Sequence, residues 1–129
     1  MMLLICTCII LCGCNVSSID EEKLSDVNYE KIEYHHLDEN LRASYDSAKK
    51  DNKRLTYEDD TYQYLIICYG PMPSEGYSIE VKELYETTNT IIVDTTLKGP
   101  TKDYKHAEVE SYPAIVLRIK KQDKLIIFK

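Results

Sequence analysis

The run Gly70-Pro71-Met72-Pro73-Ser74-Glu75-Gly76-Tyr77 limits the fold more than any other stretch, because it forces a corner between two strand-like segments. Pro71 and Pro73 fix φ and remove two backbone donors, so this run cannot lie inside a sheet, while Gly76 can take the positive φ that a tight corner demands. Before it, Thr61 to Cys68 puts Tyr62, Tyr64, Ile66 and Cys68 on one face and Gln63, Leu65 and Ile67 on the other. Both faces are largely apolar, which predicts a central strand. After it, Tyr77, Ile79 and Val81 alternate with Ser78, Glu80 and Lys82, which predicts a strand with one wet side. The corner is then either a structural turn or a stiff, surface-presented recognition loop.

The rest of the C-terminal half continues in the same period. Ile91, Val93, Thr95 and Leu97 repeat the alternation after a Thr87 to Thr90 turn, giving two hairpin-linked strands, and Lys98-Gly99-Pro100 ends the second. Thr101 to Ala107 reads as a polar excursion. Tyr112-Pro113 opens a strand with Ile115, Leu117 and Ile119 inward and Val116, Arg118 and Lys120 outward, where Pro113 is tolerated because it comes first. Lys121 to Lys124 turns the chain into a short closing strand, Leu125 to Phe128.

Upstream the pattern differs. Leu37, Leu41, Tyr45 and Ala48 recur at helical spacing, Asp38 can cap, and Lys49 and Lys50 sit at the far end, so Asp38 to Lys50 predicts an amphipathic helix packed across the sheet. Tyr29 to His36 is a candidate first strand, and Asp51 to Asp60 reads as a connecting loop. The expected fold is mainly β (α+β): five to six antiparallel strands in a sheet or small sandwich, with one N-terminal amphipathic helix against it.

The 129 residues leave room for one domain. Asp and Glu outnumber Lys and Arg by 22 to 16, and the resulting charge of −6 argues against nucleic acid as a partner. Eleven Tyr, one Phe and no Trp give aromatic surface that carries hydroxyls, suited to half-buried and contact positions. Four of the five cysteines, Cys6, Cys8, Cys12 and Cys14, lie in the first apolar run with no histidine or carboxylate nearby, which is neither a disulfide framework nor a zinc pattern. His35 and His36 are adjacent and on a strand would face opposite ways, so they read as surface residues and no metal or cofactor is expected.

Leu3 to Cys12 is apolar throughout, the length of a signal-peptide core and too short to cross a bilayer. It ends in Leu11-Cys12-Gly13-Cys14, which resembles the bacterial lipobox, although only Met1 and Met2 precede it and Cys12 stands where Ala or Ser is usual. That resemblance implies a signal peptide over 1–13, lipid attachment at Cys14 and a protein tethered on the extracytoplasmic side of the cell membrane. Residues 14–26 are then a solvated tether and 27–129 a single globular domain.

From Gly70 to Val81 the chain resembles the C-terminal domain of the protease complex subunit PrcB family, with a Gly, a Pro-containing turn, the Tyr77 corner and an alternating strand. The stretch around Ile91 to Val93, Pro100 and Tyr112-Pro113 continues the likeness, which covers about 62–127. Ser74 stands in place of the family's Thr and Glu75 in place of its first Gly. The resemblance implies an exported, membrane-tethered accessory subunit of secreted protease complexes.

The residues themselves offer little for catalysis. Cys68 with His106 is the one conceivable thiol pair, but Cys68 lies in the most apolar strand. Ser74 lacks a Gly-x-Ser-x-Gly context and reads as a turn residue, and Glu75, Glu80, Glu83 and Glu86 read as a solvated acidic face. The expectation is a non-enzymatic lipoprotein that binds a secreted protease or another envelope protein through Pro71, Pro73, Ser74, Glu75, Gly76 and Tyr77, with Glu75 and Tyr77 at the tip. One alternative is a protease inhibitor, since the corner resembles the inserting loop of chagasin-like inhibitors; another is a structural envelope protein.

Overall fold

The computed structural model describes residues 22–102, 105 and 107–129. Two four-stranded sheets face each other, with one helix across the outer face of the second. The first sheet has the order β1 (Ser25–Asp26), β5 (Ser78–Glu86), β6 (Thr90–Lys98) and β8 (Leu125–Phe128). The second has the order β2 (Tyr29–Lys31), β7 (Ala114–Lys120), β4 (Tyr62–Tyr69) and β3 (Asn52–Glu58).

Strand β4 lies between β7 and β3, as its two apolar faces predict. Leu65 and Ile67 point into the core between the sheets, where they meet Leu84 of β5, Ile91 and Val93 of β6, and Leu117 of β7. Tyr64, Ile66 and Cys68 point the other way and are covered by Leu37, Leu41 and Ala48. The helix, α1 (Glu39–Ala48), starts where the sequence places it: the Asp38 carboxylate accepts a hydrogen bond from the Leu41 N–H at 2.7 Å. Each fully buried aliphatic side chain in these two clusters contributes ~1.5–3 kcal/mol.

Several expectations need correcting. There are eight strands rather than five or six among the described residues. They are not all antiparallel, because β8 runs parallel to β6, with Thr90 opposite Leu125 and Val93 opposite Phe128. The chain leaves β7 in one sheet and enters β8 in the other, so no hairpin constrains the direction of the last strand. Asp51 to Asp60 is not a loop: seven of its residues form β3 along the edge of the second sheet. Tyr29 to His36 is a strand only to Lys31, and Tyr34–His36 is a 3-10 turn that sets the exposed rings of His35 and His36 4.1 Å apart. Val116 faces outward as expected, but the helix buries it. In β5 a bulge between Val81 and Glu83 shifts the phase, so Leu84 rather than Glu83 follows Ile79 and Val81 into the core. Ser25–Asp26, at the end of the stretch read as a tether, pairs with β5.

Candidate functional site

The corner carries the chain out of one sheet and into the other, from Tyr69 at the end of β4 to Ser78 at the start of β5. Gly70 opens it with φ +81, and a Cβ there would come within 3.2 Å of the Asn52 backbone nitrogen, so both torsion and space call for glycine. Gly76 closes it with φ +93, the positive value anticipated for that residue. Neither proline wastes a needed donor, and both are exposed.

A segment more than thirty residues further on in the chain braces this corner. Met72 and Ser111 form an antiparallel pair, Met72 N–H donating to Ser111 O at 2.8 Å and Ser111 N–H to Met72 O at 3.0 Å. The Ser111 hydroxyl donates to Ser74 O at 2.6 Å, and Glu75 N–H donates to Ala107 O at 3.0 Å. These bonds leave the backbone little freedom, while the side chains of Pro71, Pro73 and Glu75 stay exposed.

The predicted site residues do not all share one surface. Ser74 is buried, and its hydroxyl donates to the Glu75 carbonyl at 3.1 Å, a turn-stabilising role. Tyr77 is half-buried at the mouth of β5, its ring beside Gly99, rather than at the tip. The exposed crest is therefore Pro73, Glu75 and Gly76, with Pro71 on its flank. Below it lies a shallow groove between the starts of β5 and β7, lined by Tyr77, Ile79, Pro113 and Ile115. The partnership with Ser111 escaped the sequence reading because nothing local marks Ser111 as a brace.

Cys68 is fully buried, and burial pushes its thiol pKa up, away from the thiolate a nucleophile needs. His106 and Cys14 lie outside the described residues. Among the described residues no group of three His, Cys, Asp or Glu could hold a metal ion. Glu86 does not belong to a solvated acidic face: it accepts from the Ser25 hydroxyl at 2.7 Å and pairs with Lys124 at 3.2 Å, tying β1 and the β8 turn to β5. The hydroxyl and the ammonium hold its carboxyl below the usual range. Glu80 is paired with Lys98 across the hairpin.

Fold and site together define a small two-layer β module whose most developed surface feature is a braced loop. Residues 63–120, from β4 through the end of β7, match the family model described as PrcB C-terminal, so over this span the chain carries the family likeness that its corner suggested. No curated protein and no solved structure matches the chain. Strand β3, helix α1 and strand β8 lie outside the matched span.

Proposed function

We propose that this protein is an exported lipoprotein, anchored through Cys14 to the extracytoplasmic side of the cell membrane, that acts as a non-enzymatic accessory subunit by binding another envelope protein through the Pro71–Tyr77 corner. The observation that carries the reading is the combination of an exposed crest, Pro73, Glu75 and Gly76, with a backbone fixed by Met72–Ser111 pairing. A loop held before binding loses little conformational entropy when a partner docks, which favours affinity from few contacts. The family match adds a protease complex as the setting for such a partner. No helix among the described residues is long and apolar enough to cross a membrane. In this reading the acyl chains on Cys14 supply the attachment.

Labelling with a lipid analogue tests the anchor, with Cys14→Ser as the unlabelled control. Co-purification from detergent-solubilised membranes tests the corner: a discrete partner should be recovered and should be lost on Glu75→Arg, a change at an exposed side chain that leaves the brace intact. Recovery of the same partner with Glu75→Arg would remove the corner from the interface, and equal labelling of Cys14→Ser would remove the anchor. Slowing of a papain-like protease by the purified chain would instead favour the inhibitor reading.

A further inference from the structure

Among the described residues, strand β3 is the longest sheet edge. The other three edge strands have two, three and four residues, whereas β3 has seven in unbroken register with β4. Nothing among the described residues pairs with its outer side. The Asp59 N–H donates to Tyr62 O at 3.0 Å, so in the alternating antiparallel ladder Lys53, Leu55 and Tyr57 direct their backbone groups at β4. Arg54, Thr56 and Glu58 therefore turn their N–H and C=O groups outward. Edges of this kind are usually blunted with charged side chains, Lys above all, with a proline or with a bulge. The charges here are arranged differently: Lys53-Arg54-Leu55-Thr56-Tyr57-Glu58-Asp59 is antisymmetric about Thr56, two cations before it and two carboxylates after it.

We infer that β3 pairs with β3 of a second copy of this chain, antiparallel across a two-fold axis through Thr56, joining two second sheets into one continuous sheet. In that register Arg54 faces Glu58 of the other copy, Lys53 faces its Asp59, and Leu55 faces its Tyr57. Leu55, 36% exposed in the single chain, gains an aromatic neighbour. A register centred on Leu55 also satisfies the backbone, but it sets Lys53 against Tyr57 and Arg54 against Thr56 and leaves the charges unmatched. A register centred between two residues would oppose an outward backbone to one already bonded to β4. Opposite charges facing across strands are favourable and like charges unfavourable, so charge selects the Thr56 axis. Two of these charges have weak partners now, since Lys53–Asp51 at 3.5 Å and Glu58–Lys121 at 3.8 Å are exposed pairs. Asp59 already accepts from the Thr61 and Tyr62 N–H groups at 2.8 and 2.6 Å, so the Arg54–Glu58 contact carries most of the selection. Arg54 has its guanidinium 4.3 Å from the Tyr69 ring and its Nη1 donating to Cys68 O at 2.5 Å and to Asn52 Oδ1 at 2.9 Å, so it meets Glu58 of the other copy through its remaining N–H donors.

The test uses full-length chains carrying two different C-terminal tags, co-expressed and captured through one tag in mild detergent. The native pair should co-purify. Arg54→Glu in both copies sets carboxylate against carboxylate, and Glu58→Arg in both sets cation against cation, so each should lower recovery about tenfold or more. One copy of each variant restores opposite charges at both positions and should restore recovery, which two unfolded or micelle-trapped chains would not do. Thr56→Pro should also abolish recovery while circular dichroism stays native, because the lost N–H faces solvent in the single chain. Absence of native co-purification, a mixed pair no better than either variant alone, or full recovery with folded Thr56→Pro would each overturn the inference.

Discussion

Gly70→Ala is the substitution whose cost the structure specifies best. At φ +81 an L side chain sits in the left-handed region, at ~1–2 kcal/mol. The added Cβ would also lie 3.2 Å from the Asn52 nitrogen and 3.5 Å from the Asp51 carbonyl carbon, and both are backbone atoms at the entry to β3. They can yield only by moving the strand, so the total should reach ~2–4 kcal/mol. Gly76→Ala, at φ +93 in an exposed part of the corner, should cost only the torsional part, ~1–2 kcal/mol. Urea unfolding of the two variants beside the native chain separates the effects: Gly70→Ala should lower the midpoint more at an unchanged slope, with a fall in melting temperature of ~10 °C or more. Equal costs for the two, or a Gly70→Ala cost under ~0.5 kcal/mol, would show that the close approach of the corner to β3 does not govern stability.

Leu117→Ala, at a fully buried site between the sheets, should destabilise by ~3–5 kcal/mol in the same assay. Cys68 should resist alkylation in the native state and react only as the domain unfolds, so its modification followed by peptide mass mapping should track global unfolding. The pKa of Glu86 is lowered by the Ser25 hydroxyl and Lys124, so its contribution to stability is fully present above the ordinary glutamate value and is lost as pH falls through the lower folded value. Glu86→Gln should therefore flatten the acid side of the stability profile and leave the alkaline side parallel to the native one. Ser111→Ala should loosen the corner, seen as faster amide exchange at Met72 and Glu75, with little change at the centre of β4.

The elements readable from sequence are those in which burial dominates the choice of residues. Strand β4 declares itself because Leu65 and Ile67 must fill one core while Ile66 and Cys68 fill another, and α1 because Leu37, Leu41 and Ala48 return to one face. Strand β3 hides because an edge strand is solvated on most sides, so Asn52-Lys53-Arg54 reads as loop despite a regular ladder to β4. The bulge in β5 hides because Lys82 and Glu83 are both polar, and the phase shift is seen only when Leu84 is found inside. Leu125 to Phe128 marks a strand, but four apolar residues say nothing about the direction of pairing. At the corner, glycine and proline disclosed the turn and the positive φ of Gly76, whereas burial of Ser74, retreat of Tyr77 and the hold of Ser111 depend on contacts remote in sequence.

The claim that the braced crest exists to touch another protein is tested most directly by placing a photo-activated crosslinking residue at position 75 in the full-length chain in living cells, with position 82 on the exposed outer side of β5 as the comparison. A discrete adduct from the membrane fraction is expected at position 75, with a mass added by a different protein, and none at position 82. An unmodified chain at position 75, or the same adduct from both positions, would contradict it.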